Sequence, residues 1–213
     1  SVALFIHRLF VRHLSRYDEC FIQSRCSEDG YGTVVSLAHS AHRGDGEACY
    51  ALGCAYEAGE SLPNLENEAA IWMERAADKN VPDALIRMGM LRLQGKGTER
   101  SPEIAFDLFE RAAALEDCRG EYRLALCYLE GWGVVKDLEQ GAACLQTAAR
   151  AGYGPALYRL GCLYRDGEGV ARSIRTAMIL FHAAARRLAA DSGELCIPTY
   201  GRTRRYTCVT MRH

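Results

Sequence analysis

Residues 48–60 read ACYALGCAYEAGE, and residues 156–168 read ALYRLGCLYRDGE. The two share Ala, Tyr, Leu-Gly-Cys, Tyr and Gly-Glu at matching places and stand 108 residues apart, three periods of 36. The intervening periods carry the same skeleton. Ala48, Ala84, Gly120 and Ala156 form one column, Leu52, Met88, Leu124 and Leu160 a second, and Gly53, Gly89, Ala125 and Gly161 a third. Gly59, Gly95, Gly131 and Gly167 keep step, as do the alanine pairs 76–77, 112–113, 148–149 and 184–185. A fixed period of this length is the mark of a repeat architecture.

Within one period the first apolar set falls at i, i+4, i+5 and i+8 (Ala48, Leu52, Gly53, Tyr56), which is one face of an α-helix. We call it helix A. Gly59 and its equivalents stand where a left-handed residue ends a helix. After a loop, a second helix, B, is expected to start near Ser101, Asp137 and Ser173, all good N-caps; Pro102 follows Ser101 at a first helical position, and Gln140 stands three residues after Asp137. The first period has Leu65 at the matching place, with Asn64 as the candidate cap. Helix B points Trp72, Leu108, Cys144 and Leu180, and Met73, Phe109, Leu145 and Phe181, at the core. One such pair cannot bury its apolar face alone, so stacking of pairs is what folds it.

These residues resemble the Sel1-like repeat, a relative of the tetratricopeptide repeat. The copies ALYRLGCLYRDGEGV (156–170) and EYRLALCYLEGWGVVKDLEQGAA (121–143) carry the likeness most fully. The resemblance implies an all-α fold, a right-handed α/α superhelix (solenoid) of helix–turn–helix units. It covers residues 45–188 as four repeats, 45–80, 81–116, 117–152 and 153–188. Residues 31–44 look like a partial leading repeat, since Leu37, Ala41 and Gly44 precede Met73, Ala77 and Asn80 by one period. Residues 1–30 form an amphipathic N-terminal or capping segment, with Arg8, Arg12 and Arg16 at four-residue spacing, and 189–213 form a basic tail. The first of these has the acid-poor character of an organelle-transit helix.

The chain has 213 residues, 49% of them hydrophobic, and a formal net charge of −1. Residues 1–25 sum to +2 and residues 186–213 to +4, which leaves −7 for the body. Basic ends around an acidic body suit an acidic partner, protein or nucleic acid. The apolar runs are too short for a membrane-spanning helix.

Reactive chemistry finds little support. Four of the ten cysteines lie in apolar columns: Cys54 and Cys162 share one with Met90 and Leu126, Cys127 shares one with Ala55, Leu91 and Leu163, and Cys144 replaces Trp72. No CxxC occurs, and the spacings suit no zinc site, so no metal and no cofactor is expected. Some Sel1-like proteins staple each unit with a cysteine pair; no such pair recurs here, which favours a reducing compartment, mitochondrial or cytosolic. His39, His42 and His182 share columns with Arg75, Asp78 and Glu74, positions that face water. LQGKGTERS (93–101) resembles a phosphate-binding loop only in part, because Gly97 follows Lys96 where Ser or Thr is needed. No catalytic arrangement emerges, and the protein is expected not to be an enzyme.

What remains is surface. In solenoids of the resembled type the A helices line a concave face. There one column reads Ala51, Arg87, Arg123, Arg159 and its neighbour Tyr50, Ile86, Tyr122, Tyr158. Tyr50, Arg87, Tyr122, Arg123, Tyr158 and Arg159 are the candidate partner-binding ladder, suited to an acidic peptide. The competing reading pairs these arginines with acids on the same or adjacent helices, Asp83 with Arg87 for instance, and packs the tyrosines between units. The basic tail offers Arg202, Arg204 and Arg205 as further contacts, to RNA or to protein. The expected function is a non-catalytic interaction scaffold or adaptor, a structural or assembly subunit of a larger complex. The alternatives are a peripheral RNA-contacting subunit of an organellar ribosome-like particle and a thiol-redox assembly factor.

Overall fold

A computed structural model describes residues 37–58 and 66–192, with side chains placed through 187. Among the described residues the regular structure is helical throughout. Residues 37–42 are helical (α1); α2 spans Gly46–Ala58, α3 Glu66–Asp78, α4 Pro82–Gln94, α5 Pro102–Ala114, α6 Cys118–Glu130, α7 Leu138–Arg150, α8 Gly154–Asp166 and α9 Ile174–Ser192. Helices α2, α4, α6 and α8 are the expected A helices, and α3, α5, α7 and α9 the expected B helices. The N-terminal segment 1–30, Gly59, Asn64, Leu65 and residues 193–213 of the basic tail lie outside the described residues, while 189–192 continue α9.

The helix ends show why the period holds. The Ser101 hydroxyl accepts from the Ile104 N–H at 3.4 Å, Asp137 from Glu139 and Gln140 at 3.0 Å each, and the Ser173 hydroxyl from Thr176 at 3.3 Å. Each satisfies a donor that the first turn leaves without a partner. At the C-terminal ends of α4, α6 and α8, Gly95, Gly131 and Gly167 have φ of 71°, 77° and 78°, and each N–H returns to the carbonyl four residues back. That is the left-handed stop the glycine column predicts.

The second glycine of each loop has a different task. Gly97, Gly133 and Gly169, all at positive φ, sit so close to the first turn of the preceding B helix that a Cβ would run into the carbonyls of Glu66, Pro102 and Leu138. The segment that resembled a phosphate loop is thus a packing device, seated on backbone about one period upstream.

The chain divides into two compact units, Ser1–Arg100 and Ser101–His213. In the first, α2 packs on α3 and α3 on α4, burying Leu52, Met73, Ala76, Leu85 and Met88. In the second, α5 through α9 pack each on the next, and Leu145 and Phe109 are fully enclosed. Ala125, Leu129, Ala142, Ala148, Ala156, Leu160 and Leu163 surround Leu145 in one cluster. Small residues let these axes approach closely.

Candidate functional site

The ladder residues stand on A helices, beside the buried columns rather than in them. Tyr50 on α2 and Arg87 on α4 belong to the first unit. Tyr122 and Arg123 on α6, and Tyr158 and Arg159 on α8, belong to the second.

In the first unit Arg87 reaches back to Glu57 on α2, with Nε to Oε2 at 2.8 Å and Nη2 to Oε1 closing a bidentate pair. The Arg87 side chain keeps 39% of its surface exposed. Burial, followed by a hydrogen bond with Cys54, pushes the Tyr50 phenol up to about 12, so it stays a neutral donor at physiological pH. Tyr50, Cys54, Glu57, Arg87 and Lys96 line one groove of about 550 Å³.

In the second unit Arg159 Nη2 donates to Glu130 Oε1 on α6 at 2.9 Å, and its side chain is 40% exposed. Arg123 lies over its own neighbour, its guanidinium carbon 5.9 Å from the Tyr122 ring centre. Tyr122 meets Tyr153 edge-on at 5.4 Å, and Tyr158 meets Phe181 at 5.5 Å. Arg87 and Arg159 are therefore tied to acids on the preceding A helix, and two of the three tyrosines touch aromatic neighbours. Arg87 and Arg159 thus bind within the fold and still show surface to solvent. Arg202, Arg204 and Arg205 lie outside the described residues.

The cysteines Cys49, Cys54, Cys118, Cys127, Cys144 and Cys162 are free thiols. Burial pushes Cys127 and Cys144 up to about 11 and raises Cys49 and Cys54 too, which disfavours the thiolate that thiol chemistry needs. His39, His42 and His182 are exposed, as their columns suggest, and His42 turns its ring edge to Trp72 at 5.3 Å. Among the described residues no cluster of three metal-ligating side chains occurs, and no helix is long and apolar enough to cross a membrane.

A second surface escaped the sequence reading. Arg150, His182, Arg186 and Arg187 converge around a groove of about 760 Å³ in the second unit. Its signal was available: from 169 to 190 the chain carries four arginines and one histidine without a single acid.

Helix pairs in strict register, capped by glycine and seated loop on helix, define an α/α repeat protein. The Sel1 repeat matches four times, at 46–81, 82–117, 119–153 and 154–187, and the chain belongs to that family. The fold is that of the family's solenoids. It is similar to a Sel1 repeat protein from Oxalobacter formigenes, with 29% identity and a TM-score of 0.68 over 70% of this chain and 60% of that one. It is also similar to a protective antigen of uropathogenic Escherichia coli displaying an SLR fold, with 25% identity and a TM-score of 0.69 over 72% of this chain and 33% of that one. Among curated proteins, the chitin synthase regulator SKT5 of Saccharomyces cerevisiae is 36% identical over 100 residues, 45% of this chain. The chain spans only 14% of that protein's length. Sel1 repeat proteins generally mediate protein–protein interaction, and the family is one of non-catalytic scaffolds.

Proposed function

We propose that this chain is a scaffold or adaptor, a structural or assembly subunit that holds protein partners through the side chains displayed on its A helices. The observation that carries the reading is the half-exposed arginine with donors to spare. Arg159 gives one N–H to Glu130, its Nε is buried, and the exposed part of its guanidinium is left to a ligand, on a helix packed against both neighbours. Such a group is pre-positioned, so a partner carboxylate binds it with little ordering cost. Tyr158, the residue before Arg159 on the same helix, is 52% exposed and adds aromatic area. A relative named as the regulator of an enzyme fits the same role. Thiols that burial pushes up, Cys49, Cys54, Cys127 and Cys144, fit a reducing compartment, mitochondrial or cytosolic, better than service as a thiol-redox factor.

The test is capture. Arg87, Arg123 and Arg159 are each changed to Glu, and the full chain is used as bait in extracts of its native source. Loss of the partners held by the parent chain, with helical content and melting temperature retained, is the expected result. Unchanged capture removes the ladder from the account.

A further inference from the structure

We propose that the groove between the α7–α8 turn and the C-terminal half of α9 is a docking site for an acidic peptide segment of a partner protein, one that sets an aliphatic side chain among its carboxylates. The inference rests on the scaffold reading for the partner being a protein, and it places that partner on a surface separate from the tyrosine–arginine ladder.

The charges all have one sign. Arg150 at the end of α7 and His182, Arg186 and Arg187 on α9 line the groove, and no Asp or Glu among the described residues does. None of the three arginines forms an ion pair with a described residue. Guanidinium groups crowded together repel, and a multivalent anion is the ligand that relieves the repulsion. Arg187 lies flat on the turn: a Cβ at Gly152 would stand 2.9 Å from its Nη2, so the glycine is what lets the guanidinium close that wall. Between the cations the floor is aliphatic. Leu157 is 8% exposed at its base, and Ile179 stands 63% exposed at its rim, an apolar group in open water that a partner side chain covers.

The period shows that this surface is particular to one place. One repeat earlier, the positions of Arg150 and Arg187 hold Ala114 and Ala151, those of Gly152 and Leu157 hold Glu116 and Glu121, and that of Arg186 alone keeps a cation, Arg150. The same framework thus changes from a net acidic to a cationic set between adjacent repeats, without any requirement of the fold. A peptide is favoured over nucleic acid because, among the described residues, no Phe, Tyr or Trp lines the groove for a base to stack on, while the aliphatic lining suits a leucine-sized side chain.

The experiment titrates the full chain against a fluorescein-labelled heptapeptide, Asp-Glu-Glu-Leu-Glu-Glu-Asp, followed by anisotropy. Saturable binding is expected that weakens as NaCl rises from about 50 to about 300 mM. Changing the exposed Arg150, Arg186 and Arg187 together to Glu is expected to weaken it by about tenfold or more. Ile179→Ser, which leaves every charge in place, is expected to weaken it several-fold and so separates docking from bulk attraction. No binding by the parent chain, or equal binding by the triple variant with its melting temperature unchanged, overturns the proposal. An oligouridylate that binds the parent chain more tightly than the peptide, with the same loss in the triple variant, overturns the choice of partner class. If the parent chain captures native protein partners yet ignores the peptide, the scaffold reading stands and this site falls. If it captures none, the scaffold reading itself falls.

Discussion

Asp117 holds the start of α6 in two ways at once. Its Oδ1 accepts the Arg119 N–H at 2.8 Å, and its Oδ2 meets Arg119 Nη2 at 2.6 Å. Burial works against the carboxylate, but these bonds to Arg119 outweigh it and hold the group below the usual range. A carboxyl with a depressed folded pKa stabilises the fold fully above its unfolded value near about 4, and that contribution is lost as pH falls through the folded value. Asp117→Asn keeps a capping oxygen and removes the charge. Its melting temperature should therefore fall below that of the parent above about pH 5, and the gap should close in stronger acid. Asp117→Ala removes the cap as well and should cost about 1 kcal/mol in a denaturation titration at neutral pH. Cys127, fully enclosed and pushed up to about 11, should resist iodoacetamide at pH 8 in the native chain and react promptly in denaturant. Rapid native alkylation would show that α6 opens far more readily than its packing implies.

At the scale of the element, the loop glycines divide into two kinds that look alike in sequence. Gly131 stops α6, whereas Gly133 sits two residues on, at φ 71°, against the backbone of Pro102 and Glu103. Gly133→Ala meets both a left-handed backbone and a backbone wall, and should cost roughly 3 kcal/mol by thermal or urea unfolding, well above the cost of a surface alanine. The helices themselves were legible because their signals are local: caps at Ser101, Asp137 and Ser173, glycine stops, and one apolar face per period. The seat of Gly133 on α5 was not, since it depends on how one hairpin meets the previous one. The same limit applies to the ladder. Reading columns aligned Arg87 with Arg159, but their acids, Glu57 and Glu130, fall in different columns, one residue out of register. Long flexible side chains reach across such an offset, and no column alignment reports it.

For the molecule as a whole, order should follow the number of neighbours a helix has. Helix α7 is flanked by α6 and α8, while α9 packs chiefly on α8. Phe181 shows the difference: its counterparts Leu145, Phe109 and Met73 are fully buried, yet it is only partly so. Amide hydrogen exchange should be at least about tenfold slower in α7 than over residues 174–187 of α9, and the reverse order would contradict nearest-neighbour stabilisation. Within the second unit Leu145→Ala should cost roughly 2–5 kcal/mol, because the cavity it leaves lies in the cluster shared by α6, α7 and α8. Charge was the property least legible at this scale. The charge sum over 186–213 counts Arg186 and Arg187, the last basic residues of the fourth repeat, together with the basic tail, whereas in the structure they are helical residues that line a groove.

The glycines that lean on upstream backbone carry a consequence for descent. A residue gained or lost inside one hairpin shifts its loop off the ledge it rests on and disturbs the neighbouring hairpin too, so small changes of length are penalised twice. Duplicating a whole period adds a new ledge together with the loop that fits it. Arrays of this build should therefore grow and shrink by entire modules, and the unbroken spacing of 36 across the four copies is the footprint of that constraint.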